Sequence, residues 1–209
     1  MDEATDVRTD WRARSAATRR ERTNGKIGEA ARALFESVGY DATTVGAIAE
    51  RAGVGPATIY EHYGTKAALA AAVFADKLGA LDSLAAEDAT ALTAREAVYR
   101  HLLRVATAVH SHRALAQALF VAVTHTEGPP VEASDPRRVL PLPRPLAGIF
   151  AAAAERGEIT VPTSPEDAAA SVTSLLLVRI KARAETAEES AAFVTSLVLD
   201  GLLSRGRAT

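Results

Sequence analysis

The segment at residues 42–69, ATTVGAIAERAGVGPATIYEHYGTKAAL, constrains this chain more than any other. Thr44 offers a hydroxyl to cap a short helix that buries Val45, Ile48, Ala49 and Ala52. Gly53 then breaks that helix. Gly55 is a tolerable cap for the next one, and Pro56 suits its first turn, where a missing N–H costs nothing. The second helix is spent by Tyr63 and Gly64, and a third element begins after Thr65. Two short helices crossing at a Gly53-Val54 turn are the geometry of a helix-turn-helix, whose second helix enters a major groove.

The rest of the chain reads as helix. Before the segment, Ile27, Ala30, Ala31, Leu34, Phe35 and Val38 recur at spacings of three and four, and Gly39 stands where a helix ends. After it, the spacing predicts a fourth helix burying Leu69, Val73, Phe74, Leu78 and Leu81, and another over 95–113. A further apolar helix is expected over 114–126, then an irregular proline-rich connection to about 143. Three helices follow, from near Pro145 to before Gly157, over about 166–183, and over about 188–204. No strand pattern competes, and an alanine-rich, aromatic-poor composition suits close-packed helices. The expected fold is all-α, with residues 1–22 a flexible basic arm, 23–70 a three-helix helix-turn-helix domain, and 71–209 a helical domain for ligand binding and dimerisation.

Charge is uneven. The net formal charge is −2, yet residues 11–26 carry six basic residues (Arg12, Arg14, Arg19, Arg20, Arg22 and Lys26) against one acid, Glu21. There is no cysteine, so disulfides and thiolate chemistry are excluded. With no long apolar run and no signal-like N-terminus, residence in the cytoplasm is expected, with no membrane contact.

Residues 26–75 resemble the DNA-binding domain of the TetR (tetracycline repressor) family. The matching positions are Thr44, Ile48-Ala49, Ala52-Gly53, Thr58, Tyr60, Tyr63 and Lys66, preceded by FESVGYDATT. The resemblance implies DNA contact by Thr44, Gly55, Pro56, Ala57, Thr58, Tyr60, His62 and Lys66, with His62 and Lys66 on phosphates. Small side chains at 56–58 let the helix lie deep in the groove. The arm is expected to set Arg19, Arg20 and Arg22 against the minor groove or flanking phosphates. The chain departs from the family in Gly55, where serine is common, and in Tyr63, where phenylalanine is common. Glu61 is either a solvent-facing charge or an acceptor for a cytosine amino group.

The resemblance also implies that the last two helices form a four-helix bundle with a second copy. The stripes Val172, Leu175, Leu176, Ile180 and Phe193, Val194, Leu197, Val198, Leu202 are wide enough to serve it. The family's ligand pocket would lie among the middle helices. Its candidates here are Phe74, Tyr99, His110, Phe120, Thr124 and His125, each of which is equally at home in ordinary packing. An obvious charge cluster is missing, which points to an uncharged or lipophilic effector. His110 and His112 are two apart and so point to different helix faces, so no metal is expected, and no other cofactor. The expected function is a dimeric, ligand-responsive regulator, a repressor by family default, released from a palindromic operator by a small molecule. The competing reading is a regulator governed by a partner protein or constitutive, which would have a solidly packed middle. An enzyme is not expected, because the sequence carries no phosphate loop, serine elbow or coherent acid–base set.

Overall fold

The first helix, α1 (Glu3–Ser37), is longer than the apolar pattern predicts. Residues 3–22 were expected to be irregular, and they form its N-terminal half instead. They are rich in Ala and Arg and free of proline, with the first glycine at Gly25, so intrinsic propensity favours helix. The Thr18 and Thr23 hydroxyls turn back to donate to the Arg14 and Arg19 carbonyls at 3.0 Å. The described side chains of this stretch, residues 11 and 14–22, are exposed, so no apolar period announced it. Among the described side chains of α1 the first buried one is Ile27.

The computed structural model describes residues 3–112 and 142–202. The helix expected over 114–126, most of the proline-rich connection, and the candidates Phe120, Thr124 and His125 lie outside the described residues. After Gly39, at φ 87°, comes α2 (Val45–Ala52), capped by Thr44, whose hydroxyl accepts from the Ala47 N–H at 3.1 Å. Gly53, at φ 68°, makes the left-handed turn, with the Val54 N–H closing back on the Ala49 carbonyl at 3.0 Å. Helix α3 (Pro56–Tyr63) has Gly55 as its cap, with no side-chain bond. Thr65 caps α4 (Lys66–Leu78). That helix stops at Gly79, so Leu81, predicted to face inward from the fourth helix, opens a separate α5 (Leu81–Ala91).

Helix α6 (Ala94–Ser111) begins with a reciprocal capping box between Thr93 and Glu96. Helix α7 (Pro143–Glu155) follows, then α8 (Pro165–Ala182), capped by Ser164. The last, α9 (Ala187–Ser196), has its own capping box in Thr186 and Glu189 and runs into a π-helical turn, Leu197–Leu202. Among the described residues there is no strand. No helix among them is long and apolar enough to cross a membrane.

One apolar cluster runs the length of the molecule. Ile27, Phe35, Ile48, Ile59 and Leu69 close the N-terminal bundle, and Phe74, Val98, Leu102, Leu146, Phe150, Leu176 and Val194 continue it through the C-terminal helices. Each such side chain stabilises the fold by about 1.5–3 kcal/mol of burial. In the C-terminal part α6 packs on α8 and α9, and α7 packs between α5 and α8.

Candidate nucleic-acid interface and effector cleft

Helix α3 is anchored by one side chain, Ile59, which is fully buried. That leaves Gly55, Pro56 and Ala57 exposed at its start, Thr58 half-buried, and Tyr60 projecting with 52% of its surface in solvent. Thr44, at the start of α2, is also exposed. The start of α3 is therefore a narrow ridge of small residues. Neighbouring polar groups can reach past it, as a helix entering a groove requires. Glu61 is exposed as well.

Two of the residues expected on phosphates have internal duties. The Lys66 ammonium donates to the Tyr40 and Thr43 carbonyls, each at 2.9 Å, and sits 4.2 Å from the centre of the Tyr40 ring. Two of its three protons are thereby committed to fastening α4 to the loop before α2. His62 Nδ1 meets the Asn24 side-chain oxygen of α1, leaving Nε2 for another partner. The Tyr63 hydroxyl donates to the Asn24 carbonyl at 3.4 Å, and burial pushes its phenol pKa up, so it stays a donor. That bond accounts for a tyrosine at a position where phenylalanine is common.

The basic residues of α1 sort by helical register. Trp11, Ser15, Arg19, Arg22 and Lys26 follow one another at spacings of four, four, three and four, and all are exposed. Arg20, also exposed, lies about 100° round the helix from Arg19. Thus Arg19 and Arg22 share a face with Lys26, which sequence reading did not select, and Arg20 does not.

A cleft of about 450 Å³ opens along the C-terminal half of α6, lined by Leu103, Arg104, Thr107, Ala108, Ser111 and His112. Of the expected pocket residues, Phe74 is buried beside it, 5.3 Å from the His112 ring. Tyr99 is half-buried in core packing and does not line it. His110 is exposed, its ring nitrogens 2.9 Å from the Ala106 and Glu185 carbonyls, so it ties α6 to the segment before α9. Sequence reading missed the charges here. Asp88 of α5, 7% exposed, lies 3.1 Å from Arg100 and 2.5 Å from Arg104. His101 is buried with Nδ1 unpartnered. Burial first, and Arg104 second, push its pKa down to about 4, so the imidazole is neutral. Among the described residues no group of three His, Asp or Glu is placed to hold a metal.

The stripes expected to face a second copy are divided. Val172, Leu176, Val194 and Val198 are buried within the chain, because α8 and α9 also roof α6. Leu175 and Ile180 are half-buried. Phe193 and Leu197 stay 45% and 43% exposed, joined by Val178. The Arg179 guanidinium lies 3.5 Å from the Phe193 ring. The Leu202 side chain lies outside the described residues.

A three-helix bundle with a small-residue recognition helix, joined to a larger helical domain, defines the class: a helix-turn-helix DNA-binding regulator. Residues 27–73 match the model of bacterial regulatory proteins, tetR family. The whole fold agrees. FadR of Thermus thermophilus, a TetR-family repressor in complex with lauroyl-CoA, superposes with a TM-score of 0.70 at 22% identity, over 89% of this chain and 98% of that one. RolR in complex with resorcinol superposes at 0.62 and 22% identity, over 87% and 89%. FadR of Bacillus subtilis in complex with stearoyl-CoA superposes at 0.58 and 20% identity, over 85% and 98%. No curated protein matches the chain by sequence.

Proposed function

We propose that this regulator binds a palindromic operator as a homodimer, as a repressor, and that a small molecule in the α6 cleft releases it. The carrying observation is how α4 is fastened at its start and its middle. Lys66 locks its start to the Tyr40 and Thr43 carbonyls, and Arg32 of α1 donates to the Val73 carbonyl at 2.8 Å. Phe74, the next residue, packs on His112 at the cleft. The helix-turn-helix and α4 therefore move as one body, and whatever shifts His112 re-aims α3. An effector that prefers the shifted arrangement weakens DNA binding by its differential affinity for the two states.

The cleft favours ligand control over a constitutive regulator, whose middle would be solidly packed. The relatives crystallised with acyl-CoA and with resorcinol show that this fold holds small molecules of different chemistry. Phe193, Leu197 and Val178 supply an exposed apolar face for the second copy. DNA contact is assigned to Thr44, residues 55–58, Tyr60, Nε2 of His62, the remaining proton of Lys66, and the arginines of α1. Selection from a random duplex library tests the reading: wild type should enrich an inverted repeat, and Tyr60→Ala should lose it. No enriched sequence from wild type would overturn it.

A further inference from the structure

We propose that the effector is an amphipathic organic acid, its anionic head held by Arg104 and its apolar body lying along α6. This rests on the reading of the α6 cleft as the effector site. The argument begins with a charge count. Two guanidiniums, Arg100 and Arg104, share the single carboxylate of Asp88. The trio carries a formal charge of +1, offset in part by Glu96, whose carboxylate feels the Arg100 guanidinium.

The two arginines differ in where that excess is felt. Arg100 is 55% exposed, so water solvates its share. Arg104 is only 26% exposed and is one of the residues that line the cleft. Its charge reaches into the protein, since it helps to hold the buried His101 neutral. His101 therefore adds no cation of its own. Asp88 engages Arg104 through Nη1, and the guanidinium has further N–H donors in its planar fork, which suits a two-oxygen anion.

The rest of the lining fits the body of such a ligand. Leu103 and Ala108 give apolar contact, and the Thr107 and Ser111 hydroxyls and the His112 ring supply secondary polar contacts. A volume of about 450 Å³ falls in the range of small-molecule sites. The sequence hid this charge because Asp88 and Arg104 lie on different helices, with the turn at Leu92 and Thr93 between them. The proposal keeps a lipophilic body for the ligand and adds an anionic head.

The test compares molecules that share a skeleton and differ in charge: decanoate beside decan-1-ol, and 2-naphthoate beside 2-naphthol. Binding to the full-length protein is followed by calorimetry. Release of the duplex selected from the random library is followed by fluorescence anisotropy. Wild type should bind at least one acid about tenfold or more tightly than its alcohol, and that acid should release the duplex. Arg104→Gln should abolish that preference. Asp88→Asn, which removes the competing carboxylate, should strengthen it and leave the alcohols unchanged. The second variant keeps the proposal exposed should Arg104→Gln fail to fold.

Alcohols that bind as tightly as the acids would overturn the inference and leave the effector site standing. An acid preference indifferent to both substitutions would overturn it as well. If none of the four binds, the inference and the assignment of the cleft fall together. The DNA-binding reading is judged separately, by the selection.

Discussion

Single residues carry the links between parts of this molecule, and Lys66 is the clearest. A lysine on a recognition domain reads as a phosphate donor, yet here its ammonium holds two backbone carbonyls that precede α2. Lys66→Met keeps the apolar stem and strands both carbonyls. It should lower stability by about 2–3 kcal/mol, measured as the urea midpoint. Were its only role a phosphate contact, stability would not change and DNA affinity alone would fall. His101 gives a second residue-level prediction. Its folded pKa, about 4, lies below the ordinary histidine value of 6.5. Between those values the unfolded chain binds the extra proton. The stability that neutral His101 contributes is therefore full above pH 6.5, is lost as pH falls towards 4, and changes no further below that. The loss should be up to roughly 3 kcal/mol. Urea titrations of wild type and His101→Leu across that range should show it in the first and not in the second.

At the scale of elements, helices with a buried face were legible in the sequence and the others were not. The starts of α2 and α3 were readable because Thr44, Gly53, Gly55 and Pro56 each do one local job that needs no knowledge of the rest of the fold. The first half of α1 was not, since its described side chains are exposed and its helicity rests on propensity. The break between α4 and α5 was also hidden, because Leu81 continues the apolar spacing of α4 across Gly79. A helical α1 presents its charges in fixed register, which makes a prediction. The triple variant Arg19→Gln, Arg22→Gln, Lys26→Gln should keep its helicity by circular dichroism. The slope of log affinity against log salt should become shallower by about 0.9 for every phosphate that these three cations neutralise in wild type. An unchanged slope would show that this face lies away from DNA.

The whole molecule joins an N-terminal helical bundle to a larger helical domain, and the contacts between them were least legible of all. The sequence supplied Asp88, Arg104, His112 and Phe74 as separate residues far apart along the chain, and only tertiary packing makes them neighbours. The apolar stripes of α8 and α9 were visible, but a stripe does not say which of its residues roof the chain's own core. Val194 and Val198 do, whereas Phe193 and Leu197 face out. Phe193→Glu with Leu197→Glu should therefore leave the fold intact and give monomers by sedimentation. The same pair of changes at Val194 and Val198 should unfold the chain.

The central claim is that two copies read two half-sites through α3, and stoichiometry on DNA tests it most directly. With the selected duplex, sedimentation should give two chains per duplex, and scrambling one half-site should cost far more than half of the binding. The Phe193→Glu, Leu197→Glu variant should lose the two-chain complex. One chain per duplex in wild type, with no penalty for the scrambled half-site, would contradict the account.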